Sequence, residues 1–338
     1  LDGDGVNDLA VSAPLDNEGG AESGAVHIIF MNTDGSVDST VEINSSTTNG
    51  PTLSKDDQFG MSIANIGDLD GDGVNDLAVG ASGDDGGGSV RGAVHIIFMN
   101  TDGSVDSTVE INDSTTNGPT LTNGDQFGRS VANIGDLDGD GVNDLAVGAN
   151  VDDMDESGNA SGGDARGAVH IIFMNTDGSV DSTVEINDST TNGPTLANSD
   201  QFGMSVANIG DLDGDGINDL GVGANRDDMD ESGNASGGTD RGAVHIMFVE
   251  GTLPPSTSTS TDSTSTGGGG GGSQSCNSRG FGVGKSLAVY EVSYNFCGDT
   301  NFVDILAYST CGSISAQLTT EYGRSTAGLS LDQPFIDD

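Results

Sequence analysis

Of 338 residues, 54 are Asp or Glu and 9 are Lys or Arg, a formal net charge of −45, with 55 glycines, 3 cysteines and no tryptophan. So acidic a chain repels phosphate backbones and anionic lipid surfaces, which excludes nucleic acid as a partner, and no run approaches the roughly 18 apolar residues of a membrane-spanning segment. Dense glycine and few helix-favouring runs point to β structure with many turns.

The chain opens on Leu1, and Leu1 to Asp8 repeats all but the first position of a motif found later at Asp68 to Asp76, so the start is expected to be a fragment boundary. The motif D-L-D-G-D-G-[VI]-N-D-L begins at Asp68, Asp136 and Asp211, spaced 68 and 75 residues apart, and the block Gly24 to Asn44 recurs unchanged at Gly92 to Asn112 and Gly167 to Asn187. Within one unit, strand candidates run over Met61–Ile66, Leu77–Val79, Ala93–Met99 and Val105–Ile111. The last two flank the turn residues Asn100-Thr101-Asp102-Gly103. Four short antiparallel strands cannot bury both faces of their own sheet, so the units must stack, radially as a β-propeller or in a linear array. A β-helix is less suited, because its coils take roughly 20 residues.

Phe59-Gly60, the run Asp68 to Leu77 and Val79-Gly80-Ala81 resemble the FG-GAP repeat, the blade unit of the integrin α-subunit N-terminal propeller. Phe127-Gly128 with Val147-Gly148-Ala149 and Phe202-Gly203 with Val222-Gly223-Ala224 repeat the pattern, and Val11-Ser12-Ala13-Pro14 comes closer to the family's Gly-Ala-Pro. The resemblance covers residues 1 to about 250. It implies an all-β, FG-GAP-type propeller with calcium loops between the first two strands of each blade, and a fragment holding the last four blades of a larger ring. The fourth unit stops after Gly242 to Val249 and has no counterpart of Val105–Ile111. Because propellers hide sheet edges, sequence preceding Leu1 is expected to supply that strand.

In D-x-D-x-D-G-x-x-D, acids at positions 1, 3, 5 and 9 and the carbonyl at position 7 serve a hard cation that takes 6–8 oxygens at about 2.3–2.6 Å. The expected ligands are Asp68, Asp70, Asp72, Val74 and Asp76; Asp136, Asp138, Asp140, Val142 and Asp144; and Asp211, Asp213, Asp215, Ile217 and Asp219. A truncated site keeps Asp2, Asp4, Val6 and Asp8. Ca²⁺ is favoured over Mg²⁺, which demands a stricter octahedron, and over Zn²⁺, which wants Cys or His. A dockerin would need helices and a repeat near two dozen residues. Solvated acidic turns are the bland alternative, but such crowded carboxylates repel unless a cation neutralises them.

Further acids gather in Asp84-Asp85, Asp152-Asp153-Met154-Asp155-Glu156 and Asp227-Asp228-Met229-Asp230-Glu231, read as a solvated surface suited to a salty medium, with a partner-binding rim as the sharper alternative. His27, His95, His170 and His245 share one position of a repeated strand, which reads as packing or hydrogen bonding rather than catalysis, and no elbow, HExxH or Walker motif occurs. Asn44, Asn112, Asn159, Asn187 and Asn234 lie in N-x-[ST] sequons, open to glycans in a secreted chain.

Residues 254–275 form a Ser/Thr/Gly-rich linker, and 276–338 read as a small β module with strand candidates over Leu287–Phe296, Phe302–Tyr308 and Ser313–Thr319. Gly280 to Gly284 is read as a turn. Cys276, Cys297 and Cys311 allow one disulfide with one thiol left over. The resulting expectation is a non-enzymatic, calcium-binding propeller over residues 1–253, extracellular or on a cell surface and monomeric, acting in adhesion or display toward a protein or glycan ligand. The alternatives are a non-catalytic binding or scaffold region of a secreted hydrolase, or a self-assembling surface coat.

Overall fold

The computed structural model describes residues 1–18, 20–153, 165–227, 241–250 and 288–294. These form four antiparallel sheets and, among the described residues, no helix. The first sheet is β1 (Leu9–Ala13), β2 (Ala25–Met31) and β3 (Val37–Ile43). The second is β4 (Phe59–Gly67), β5 (Asp76–Ala81), β6 (Ala93–Met99) and β7 (Val105–Ile111). The third repeats it as β8 (Phe127–Gly135), β9 (Asp144–Ala149), β10 (Ala168–Met174) and β11 (Val180–Ile186). The fourth holds β12 (Phe202–Gly210), β13 (Asp219–Ala224), β14 (Ala243–Glu250) and β15 (Ala288–Tyr294).

Local chemistry accounts for the hairpins. Asp102 Oδ1 accepts the Ser104 backbone N–H at 2.9 Å and its hydroxyl at 2.6 Å, closing the turn between β6 and β7. The β6-type strands of the second and third sheets are buried on both faces, since one sheet lies on either side of each. The innermost strands β4, β8 and β12 touch in succession, which is the radial arrangement of propeller blades.

The glycines of the repeat mark where blades meet. A methyl group on Gly80 would lie 2.0 Å from the Gly128 carbonyl oxygen, and one on Gly148 would lie 1.9 Å from that of Gly203. Thus the Gly of Val-Gly-Ala in one blade abuts the Gly of Phe-Gly in the next. Hydrogen bonds repeat across the same seam: Ser62 Oγ donates to the Gly128 carbonyl at 3.0 Å and Ser130 Oγ to that of Gly203 at 2.9 Å. Asn143 Nδ2 donates to Ile66 O at 2.9 Å and Asn218 Nδ2 to Ile134 O at 3.0 Å.

The cores lie between blades rather than within them. Ile96, Phe98 and Ile111 of the second blade meet Leu145, Val147 and Ile172 of the third, and Val169, Ile171 and Phe173 meet Leu220 and Val222 of the fourth. Full burial of each such side chain is worth about 1.5–3 kcal/mol, so a blade draws its stability from its neighbours.

Two expectations are corrected here. The outer position of the fourth sheet is filled from the C-terminal side: β15 pairs with β14 along its length, from Val244 opposite Tyr294 to Glu250 opposite Ala288. β15, which lies within the strand candidate over Leu287–Phe296, therefore takes the outer position expected for sequence preceding Leu1. An unpaired edge binds the nearest strand of suitable pattern, and the intervening chain keeps this one at high local concentration. Asn44, Asn112 and Asn187 are buried, and their Nδ2 groups donate to Glu42, Glu110 and Glu185, so the folded chain does not present these sequons as glycan acceptors. Asn159, Asn234, Met154 to Glu156, Asp228 to Glu231, the 254–275 linker, Gly280 to Gly284, the three cysteines and the strand candidates over Phe302–Tyr308 and Ser313–Thr319 lie outside the described residues.

Candidate metal centre

Each D-x-D-x-D-G loop joins the first strand of a blade to the second, β4 to β5, β8 to β9 and β12 to β13. Glycine shapes it: Gly71 and Gly73 have φ of 82° and 94°, a region costly for other residues. The turn is then fastened by carboxylates. Asp68 accepts the N–H of Gly71 at 2.8 Å and of Gly73 at 2.9 Å, Asp70 that of Asp72 at 3.1 Å, and Asp72 that of Val74 at 2.7 Å.

The result is three convergent trios. Asp68, Asp70 and Asp76 bring one ligand oxygen each within 4.8 Å of one another, as do Asp136, Asp138 and Asp144, and Asp211, Asp213 and Asp219. Asp72, Asp140 and Asp215 stand outside these trios, each with an oxygen on the backbone N–H two residues on. Val74 and Ile217 put their side chains into the inter-blade cores, and Val142 packs at the edge of one. In the first loop Asp2, Asp4 and Asp8 form no such trio. Asp2 and Asp4 accept the N–H groups of Asp4 and Val6, and Asp8 pairs with the Leu1 amine at 2.6 Å.

The ninth-position aspartate does more than complete a shell. Asp76 is 1% exposed; one oxygen accepts the Leu69 N–H at 2.9 Å and the other the Met99 N–H at 3.0 Å, tying the loop's start to the end of the third strand. Asp144 repeats this with Leu137 and Met174, Asp219 with Leu212 and Val249, and Asp8 uses Met31 N–H and the Leu1 amine. Burial, reinforced by the charges of Asp138 and Asp140, pushes the Asp144 carboxyl up to about 7 against the pull of its two backbone donors. Asp76 and Asp219 are raised by burial and by their own loop acids. Such a cluster disfavours its own ionisation and favours a cation that neutralises it. An all-oxygen donor set with one preorganised buried carboxylate fits a hard divalent ion.

Residues 1–29, 59–97 and 127–172 match the FG-GAP repeat family model, and the chain carries FG-GAP repeats folded as consecutive propeller blades. Among curated proteins it is similar to integrin alpha-PS5 of Drosophila melanogaster, 35% identical over 150 residues, which are 44% of this chain and 14% of that protein. It is similar to integrin alpha-4 of Xenopus laevis, 35% identical over 157 residues, 45% of this chain and 14% of the other. Integrin alpha-IIb of Homo sapiens is 37% identical over 154 residues, 44% of this chain and 14% of its own. The chain thus spans about one seventh of the length of these relatives. Among solved structures, the rhamnogalacturonan lyase YesW aligns over 68% of this chain and 41% of its own at 18% identity and a TM-score of 0.29, a likeness too distant to bear on function. No helix of the described residues is long and apolar enough to cross a membrane.

Sequence reading missed a second set of buried polar residues, at the far end of each blade from the metal loop. His170 Nε2 lies 3.4 Å from Asp152 and His245 Nε2 lies 3.1 Å from Asp227. The signal lay in the repeat: Asp57, Asp125 and Asp200 each stand 27 residues before Asp84, Asp152 and Asp227.

Proposed function

We propose that this chain is a region of an extracellular or cell-surface protein whose FG-GAP propeller is held by Ca²⁺ and serves adhesion or display toward a protein or glycan ligand. The observation that carries this reading is the threefold recurrence of a carboxylate trio within 4.8 Å, each anchored by a buried aspartate that clamps two strands. The role of the ion is structural, since every trio sits at a strand junction, where a bound cation neutralises carboxylate charge that otherwise opposes folding. Extracellular modules bind Ca²⁺ at about 10⁻⁴–10⁻³ M, which suits a calcium-rich exterior. Likeness to integrin α subunits supports adhesion as the context.

The test is thermal unfolding of the full chain in excess EDTA and in millimolar Ca²⁺, with titration calorimetry alongside. Stabilisation that grows with free Ca²⁺ by mass action, with three binding events, is the expected result. Unfolding temperatures that coincide, with no binding heat, would reduce the loops to solvated turns.

A further inference from the structure

In the second blade, Asp57 precedes β4, Asp84 follows β5 and His95 lies in β6; in the third, Asp125, Asp152 and His170 hold the same places. The register makes them neighbours, because Phe59 pairs with Ala81 and Ala81 with Ala93. All six are at most 5% exposed, and the ring of Phe59 or Phe127 packs edge-on against the imidazole at 5.5 or 5.4 Å. The backbone binds the same segments. Gly83 N–H donates to the Asp57 carbonyl at 3.1 Å, Gly92 N–H to that of Asp84 at 3.0 Å, and Gly167 N–H to that of Asp152 at 2.8 Å.

The hydrogen bonding of this cluster is incomplete without a further proton. In the second blade Asp57 Oδ1 and His95 Nε2 are both buried and without a hydrogen-bond partner. A buried carboxylate facing a second carboxylate is costly, and so is an orphan ring nitrogen. In the third blade the ring has turned to account, with His170 Nε2 on Asp152 Oδ2. A metal ion does not answer this demand, since among the described residues only the three loop trios bring three acid or His ligand atoms within 4.8 Å of one another.

We propose that each Asp-Asp-His set is a proton-binding site that fastens the connection after the blade's second strand to the connection before its first. The bound proton replaces repulsion between two buried carboxylates with attraction, so the clasp closes on acidification and loosens as the proton leaves. The acids around it all favour the bound proton, while an imidazolium at His170 opposes one on Asp125. Asp57 faces Asp84 and Asp85 from the β5–β6 connection and Glu110 from β7; Asp125 faces Asp152 and His170; His170 faces Asp152, Glu185 and Asp125. The nearby cations are committed elsewhere, Arg91 to Asp113, Arg166 to Asp188 and the exposed Lys55 to Asp56. Glu22 of the preceding blade accepts the Gln58 N–H through its carbonyl and adds a further exposed acid.

Where the proton rests differs between blades. Burial, then the charges of Asp84, Asp85 and Glu110, push Asp57 up to about 6, and burial alone drives His95 down to about 4, so the second blade carries the proton on Asp57. Burial also opposes charge on His170, but the hydrogen bond and charge of Asp152, with Glu185 and Asp125 behind them, hold its imidazole above the ordinary range. The two connections differ in length, 82–92 against 150–167, and the longer one accompanies the closed imidazole–carboxylate pair.

The chain has four histidines, so ring-carbon NMR of the full chain, titrated from pH 4.5 to 8.5 at constant millimolar Ca²⁺, reads each site directly. The expected result is a His170 signal that keeps its imidazolium form above the ordinary value of about 6.5 and a His95 signal that stays neutral well below it. In Asp152→Asn the His170 midpoint falls by about one pH unit or more, while His95 is unmoved. Coincident titration of His95 and His170 near the ordinary value in the folded wild-type chain would overturn the proposal. So would a His170 midpoint indifferent to Asp152→Asn, and the wild-type titration alone decides should that variant not fold.

Discussion

Two kinds of glycine do different work in this chain, and substitution separates them. Gly71 has a φ of 82° with open space around its missing side chain, whereas Gly148 has an ordinary φ and no room, 1.9 Å from the Gly203 carbonyl oxygen. Gly71→Ala is expected to cost about 1–2 kcal/mol through left-handed backbone strain and to weaken Ca²⁺ binding at one site only. Gly148→Ala forces the blade seam apart and costs more, about 3 kcal/mol or above, with Ca²⁺ stoichiometry retained. Urea unfolding with calorimetry on both variants checks the order; equal costs would mean that the seam yields easily. The clustering of the loop acids was legible in the sequence because they fall within nine consecutive residues. The Gly148 contact was not, since it joins positions 55 residues apart whose meeting depends on how blades pack.

At the scale of elements, the aspartate that ends each loop holds two strands together, while the asparagine before it stitches one blade to the last. Asp144→Asn replaces the carboxyl that accepts two backbone N–H groups and is expected to cost about 1–3 kcal/mol and to lose one Ca²⁺ site. Asn143→Ala removes the bond to Ile66 O, with an expected cost of about 1 kcal/mol and all Ca²⁺ sites kept. The connection before β4 carries a pH dependence of its own. Asp57 lies at about 6 in the fold against an ordinary 3.8, so between these values the native state binds more protons than the unfolded chain. Its contribution is fully present below pH 3.8 and is lost as pH rises through about 6. In Asp57→Asn the fall in urea midpoint from pH 5 to pH 7, measured at fixed Ca²⁺, becomes shallower; an unchanged slope would remove Asp57 from the account. Strand positions were largely legible, with Ala93–Met99 and Val105–Ile111 matching β6 and β7 to the residue. The outer strand of the fourth blade was not, because a long linker separates β14 from the segment that pairs with it.

For the whole molecule, a net charge of −45 sets the terms. Self-repulsion of this size opposes the compact state; on the proposed reading, Ca²⁺ at the loops relieves it by neutralisation at fixed points, and added monovalent salt relieves it by screening. Raising NaCl from about 0.05 to 1 M in EDTA, which shortens the screening length from over 10 Å to about 3 Å, is expected to raise the unfolding temperature and to narrow the gap between EDTA and Ca²⁺. A gap that salt leaves unchanged would mean that the ions act by geometry alone. The propeller class was legible from the repeat period and the paired Phe-Gly and Val-Gly-Ala signals. The proton-holding sets at the opposite rim were hidden, because Asp57, Asp84 and His95 acquire a common address only through strand register.

The identical blocks that build the second and third blades also make their seams interchangeable. A face that accepts β8 through Gly80 and Ser62 is chemically the face that accepts β12 through Gly148 and Ser130, so a chain folding from the denatured state meets its own blades as near-equal competitors. Only the unequal connections and the distinct first and last sheets break the tie, and docking out of order costs little until the arc must be completed. Refolding is therefore expected to be heterogeneous, with a slow phase that reflects release of misdocked blades. Interrupted-refolding experiments should find this phase abolished in a variant whose third-blade seam carries its own repacked contacts.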